Sequence, residues 1–143
     1  MKTNILRLLL FFGVFAMTIN FAQAQDAMED SMVEPAPVMT FEKMFVDFGE
    51  VKKGEKRQTV FKFTNTGNAP LEIDLISACD CTTTDYPRLP VMPGESGEID
   101  VIFDSTEKEE SETIDIDIFL KNSDPETGAP IIVMLQYKYD LIK

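Results

Sequence analysis

Apolar side chains recur at every second position through much of the chain, in short runs separated by turn-forming residues. In LEIDLIS, Leu71, Ile73 and Leu75 alternate with Glu72 and Asp74; in GEIDVIFDS, Ile99, Val101 and Phe103 share one side; in SETIDIDIFLKN, Ile114, Ile116, Ile118 and Leu120 repeat the pattern. Successive side chains of a strand point to opposite faces, so a period of two marks a strand with one face in a core and one in water. RQTVFKFTNT sets Phe61 and Phe63 against Val60, Lys62 and Thr64, IIVMLQYKY places Ile131, Val133, Leu135 and Tyr137 on one face, and MTFEKMFVDFGEV holds one or two strands around Phe41 and Val46 to Phe48. KKGE, TGNAP, PGES and NSDPETGAP supply the turns between them. No convincing helical repeat occurs after the first few dozen residues. About seven strands with polar outer faces predict an all-β fold, two antiparallel sheets packed as a sandwich.

The N-terminus breaks this pattern. Lys2 and Arg7 precede an apolar run from Leu8 to Ile19, and Ala22 and Ala24 form a small-residue cleavage signal. A membrane span needs about 20 apolar residues, so residues 1–24 are expected to be a secretory signal peptide, removed after Ala24. The predicted location is periplasmic or secreted, with no membrane span after signal cleavage. Residues 25–38, QDAMEDSMVEPAPV, are acidic, carry Pro35 and Pro37 and lack periodicity, and read as a flexible acidic linker. The sandwich domain is assigned to residues 39–143.

Charge narrows the partners. The formal charge is −12, and losing Lys2 and Arg7 with the signal takes it to −14. Such a surface repels a phosphate backbone, which argues against nucleic acid. The chain has no histidine, so the commonest general base and transition-metal ligand is missing. No tryptophan is present to stack on a sugar, which disfavours a carboxylate-based glycosidase.

The order of motifs FEKMFVDFGEVKKGE, FKFTNTGNAPLEI, ISACDCT, VMPGESGEI and VIFDS resembles a bacterial Ig-like domain of unknown function. That family, common in exported proteins of the Bacteroidetes type, carries a Cys-x-Cys-Thr motif and is similar to sandwiches of the ASH/Hydin type. The resemblance spans roughly Met39 to Tyr137 and implies an Ig-like sandwich and export, with no activity to carry over. Asp80 stands where the family usually has glycine, and the loop STEKEESET, residues 105 to 113, is acidic where the family tends to Gly and Lys.

Cys79 and Cys81 are the chain's two cysteines, separated by Asp80. In a regular strand their Cα atoms would lie about 6.5–7 Å apart, at the limit of a disulfide, so a bridge needs a bend at Asp80. A bridge over so short a loop removes little unfolded-state entropy and is expected to be labile. Export favours oxidation. The pair reads first as structural or incidental to packing, buried or oxidised; the alternatives are a redox-active thiol pair, an intermolecular link, or copper(I) held by both thiolates with Met92 assisting. No cofactor is implied.

Two sets of outward positions remain. Glu72, Asp74, Glu98, Asp100, Asp115 and Asp117 lack the turn glycine of a calcium loop and read as a solvated face. Ile76, Ile102, Phe119, Ile132 and Met134 are apolar where alternation predicts polar residues, which marks either a protein-contact patch or a face covered by the protein's own N-terminal segment. The function expected is that of a non-enzymatic exported Ig-like module for interaction or structure in a bacterial cell envelope. Its partner would be an unidentified envelope protein, and the alternative is a thiol redox or copper-binding envelope protein using the Cys-x-Cys pair.

Overall fold

The computed structural model describes residues 34–143; the segment read as a signal peptide, and the spacer as far as residue 33, lie outside the described residues. Eight strands follow in order: β1 (Met39–Phe41), β2 (Phe45–Lys52), β3 (Lys56–Asn65), β4 (Ile73–Ser77), β5 (Thr82–Asp85), β6 (Ser96–Asp104), β7 (Glu112–Ser123) and β8 (Pro130–Ile142). They form two four-stranded sheets, β1-β3-β6-β5 and β2-β8-β7-β4. Alternation sets the inner faces as expected: Phe61, Ile99, Val101, Phe103, Ile116 and Ile118 are each fully buried. Burying a side chain of this size stabilises the fold by about 1.5–3 kcal/mol.

Several features differ from the expectation. The second sheet is mixed, because β2 runs parallel to β8. Only Glu42–Met44 separate β1 from β2, and the run passes from one sheet to the other without forming a hairpin. A bulge at Phe48 and Gly49 shifts the register, with Gly49 at φ 65° and its N–H donated to Asp47 Oδ1 at 2.9 Å.

β5 is an additional strand, three β-branched threonines and Asp85, that pairs with β6. β4 also carries a bulge: Ile73 faces Leu120 but Leu75 faces Phe119, so Asp74 is the extra residue. Beyond it the faces are exchanged. Leu75, expected inward, is 45% exposed, and Ile76 turns inward to pack against the core.

The last residues of the predicted linker are also held. Ala36 N–H donates to Asn68 Oδ1 at 2.8 Å, Thr66 N–H to the Val38 carbonyl at 2.9 Å, and Pro37 is buried. Gly67 makes this possible, since a Cβ there would collide with the backbone of Ala36 to Val38. Among the described residues, no helix is long and apolar enough to cross a membrane.

Candidate functional site

The chain crosses between sheets from β4, an edge strand of one, to β5, an edge strand of the other, and both cysteines lie on that crossing. Thr82 N–H donates to the Cys79 carbonyl at 2.9 Å, closing a tight turn through Asp80 and Cys81. The turn brings the two Cα atoms to 5.1 Å, well short of their spacing in an extended strand, and Cys79 and Cys81 are joined as a disulfide. Asp104 N–H donates to the Cys81 carbonyl at 2.9 Å and docks the turn on the end of β6.

Beneath the disulfide lies an aromatic cluster from both sheets. Tyr137 of β8 is fully buried, with its ring centroid 5.3 Å from Phe103 and 5.2 Å from Phe48. Its hydroxyl reaches Thr82 Oγ1 at 2.6 Å and lies 3.7 Å from Cys81 Sγ and 4.0 Å from Cys79 Sγ. Thr82 Oγ1 is 3.2 Å from Cys79 Sγ and 3.7 Å from Cys81 Sγ. Burial disfavours the phenolate and pushes the Tyr137 hydroxyl up to about 12, against the lowering effect of the Thr82 hydrogen bond. Two hydroxyls that keep their protons therefore face two sulfurs.

Outside the turn, Asp80, Cys81, Asp104, Thr106 and Glu107 line a shallow cleft of about 310 Å³. Asp104 is held down to about 2 by the Thr106 hydroxyl, the Thr106 N–H and Lys56. The cleft thus carries negative charge at any physiological pH.

Met92 does not join the pair, which corrects the copper set Cys79, Cys81 and Met92. Met92 lies in the turn before Ser96, at one end of β6, whereas Cys81 is bonded to Asp104 at the other. A strand rises about 3.3 Å per residue, which separates them by roughly 25 Å. Among the described residues, no group of three or more His, Cys, Asp or Glu side chains is placed to hold a metal.

The apolar outward residues are divided by the fold. Leu75, Phe119 and Ile132 face one another across β4, β7 and β8 on the outer side of the second sheet. Met134 follows on β8, opposite Asp117, and Phe45 of β2 lies beside Gln136. Ile132, Met134 and Phe45 are 53%, 49% and 47% exposed. Phe119, Ile132 and Met134 are thus brought together. Ile76 is not among them, because the β4 bulge turns it inward, and Ile102 sits on the other sheet between Gln58 and Thr83. Leu75 and Phe45 take their places, neither of which alternation singles out.

The acidic positions do not make one stripe either. Glu98 pairs with Lys62 at 3.3 Å on the first sheet, while Asp115 accepts from the Gln136 amide at 2.7 Å on the second.

Missed by sequence reasoning were Asn65, fully buried in the NTG motif, and the pairing of Thr82 with Tyr137. The family's Thr after the second cysteine was the available signal for the latter.

These two sheets and their crossings define an Ig-like β-sandwich. The chain belongs to the family described as "Protein of unknown function (DUF1573)", whose profile matches residues 39–132. A crystal structure of a protein of unknown function from Porphyromonas gingivalis W83 is similar over 79% of this chain and 51% of its own, with TM-score 0.60 and 21% identity. The chain therefore spans about half the length of that relative. The ASH/PapD-like domain 7 of human CEP192 is similar over 85% of this chain and 97% of its own, with TM-score 0.60 and 8% identity. The Vibrio cholerae VesB protease is similar over 71% and 31%, with TM-score 0.57 and 14% identity. At these identities the likeness is one of fold. No curated protein sequence is significantly similar to this one.

Proposed function

We propose that this protein is an exported, non-enzymatic interaction module of a bacterial cell envelope, which docks a protein partner on the outer face of the β2-β8-β7-β4 sheet. The observation that carries the reading is the run of Leu75, Phe119, Ile132, Met134 and Phe45 across all four strands of that face. Water-exposed sheet faces are ordinarily polar, and contiguous apolar area on one is characteristic of contact surfaces. Export is supported by the basic, apolar and small-residue segments of residues 1–24 and by the absence of any unpaired cysteine among the described residues.

The test is photocrosslinking in exporting cells. A photoreactive side chain at Ile132 is expected to give a discrete adduct with another protein, lost on Leu75→Glu, while the same group at Gln58 on the opposite sheet gives none. Indiscriminate labelling from both faces, or an adduct only to the protein's own N-terminal segment, refutes the docking surface. Mass spectrometry of the exported chain is expected to find Gln25 at the N-terminus; retention of residues 1–24 refutes the export reading.

A further inference from the structure

The two sulfurs of the disulfide occupy different surroundings. Cys81 is part of the wall of the acidic cleft, and Cys79 is not. Cys79 Sγ instead has the nearer hydroxyl, Thr82 Oγ1 at 3.2 Å, where Cys81 Sγ has it at 3.7 Å. Thr82 and Tyr137 share one hydrogen bond at 2.6 Å, which uses one of their two protons and leaves the other free to point at a sulfur. Disulfide exchange is an in-line displacement: a thiolate attacks one sulfur, the other departs as an anion, and whatever stabilises that anion speeds departure. Cys81 thus borders the cleft while Cys79 has the shortest sulfur–hydroxyl contact, to Thr82; the Tyr137 hydroxyl is farther from both, at 3.7 Å from Cys81 Sγ and 4.0 Å from Cys79 Sγ.

We propose that the Cys79–Cys81 disulfide is a thiol–disulfide exchange site that oxidises a dithiol substrate of neutral or cationic character. This activity is separate from docking on the sheet face and does not rest on it. The substrate thiolate approaches through the cleft and attacks Cys81 Sγ. The bond between Cys81 and Cys79 breaks as a mixed disulfide forms between substrate and Cys81. Cys79 leaves as a thiolate, accepts a hydrogen bond from the Thr82 hydroxyl, and takes a proton from solvent. The second substrate thiol, as its thiolate, then attacks the substrate sulfur of the mixed disulfide and expels the Cys81 thiolate, which is protonated in turn. The substrate becomes a disulfide, and the protein pair becomes two thiols that have gained the two electrons. Asp80, Asp104 and Glu107 around the entrance repel any thiolate, least where a neighbouring cationic group on the substrate offsets its charge and most where a further anionic group adds to it. Lys56, 3.1 Å from Asp104, offsets only part of that charge.

The experiment uses the oxidised chain from Gln25 to Lys143. Its comparison is a linear SACDCT peptide, residues 77–82, bearing the same disulfide. Cysteamine and 2-mercaptoethanesulfonate serve as cationic and anionic thiols, with rates normalised to thiolate. The protein is expected to prefer cysteamine by about tenfold more than the peptide does. Acid quenching and peptide mapping are expected to find the adduct on Cys81. Thr82→Val is expected to slow exchange about tenfold, through loss of the hydrogen bond to the departing sulfur, and Thr82→Ser to restore it. A reduced dithiol peptide with flanking lysines is expected to leave as its disulfide. Exchange no faster than in the linear peptide, equal preference for the two thiols, or adducts chiefly on Cys79 would overturn the proposal. The charge preference and the adduct position are read on the unsubstituted protein, so a folding defect in Thr82→Val leaves the test intact.

Discussion

Asn65 is fully buried, and its side chain makes four hydrogen bonds. Its Oδ1 accepts from Val38 N–H and Gly67 N–H, and its Nδ2 donates to the Ala69 and Val91 carbonyls at 2.8 and 2.9 Å. One amide thus joins the lead-in to β1, the β3–β4 turn and the segment before β6. Asn65→Ala leaves those backbone groups unpaired in the interior and is expected to lower stability by about 3 kcal/mol, read from the chemical-denaturation midpoint. Asn65→Asp should not rescue it, since a carboxylate cannot donate to two carbonyls. Tyr137 gives a second residue-scale outcome. Its pKa is raised in the fold, from 10.0 to about 12, so the folded state holds the proton more tightly than the unfolded chain. Stability from this group is complete below pH 10.0 and is lost as pH rises through about 12. An alkaline melt is expected to show that loss, and Tyr137→Phe to shift it upward.

At the scale of elements, the bulge at Asp74 decides which of two adjacent apolar residues faces the core. Ile76→Asp is expected to destabilise by about 2 kcal/mol, through partial burial of an unpaired carboxylate and lost packing on the core, and Leu75→Asp to change stability by less than about 1 kcal/mol. Equal effects in thermal or denaturant unfolding would contradict the register. Gly67 fixes another element. Gly67→Ala forces Ala36 to Val38 away from the β3–β4 turn, and faster amide exchange at Val38 and Thr66, with β7 and β8 unchanged, is the expected reading.

At the scale of the whole molecule, the acidic surface is partly neutralised by ion pairs between neighbouring elements. Lys138 holds Asp47 at 2.8 Å, Lys121 meets Glu72 at 3.3 Å, and Lys53 and Lys108 engage Glu109 and Glu112. Asp47, Asp104, Glu109, Glu112 and Asp124 all have lowered pKa values, from hydrogen bonds to lysines, threonines or backbone N–H groups. A depressed carboxylate contributes stability above its unfolded pKa and loses it as pH falls through its folded one. For Asp104 that window runs from 3.8 down to about 2. The melting temperature is expected to fall across it, and Asp104→Asn to flatten the lower part. High salt should weaken these exposed pairs.

Period-two alternation and turn residues sufficed for the sandwich class, because one-sided burial imposes that pattern on a strand directly. The inward sets of β3, β6 and β7 were legible for that reason. So was the need for a bend at Asp80, since spacing in an extended strand is fixed by covalent geometry. A bulge, by contrast, costs one residue and leaves no compositional trace, so the exchange of Leu75 and Ile76 is settled by pairing with β7. The parallel placement of β2 beside β8 and the grouping of Leu75, Phe119, Ile132, Met134 and Phe45 arise only when distant strands become neighbours. The same holds for the disulfide: sequence supplied two cysteines and a local turn that sets Thr82 beside Cys79, while tertiary packing put Tyr137 beneath them and an acidic cleft against Cys81.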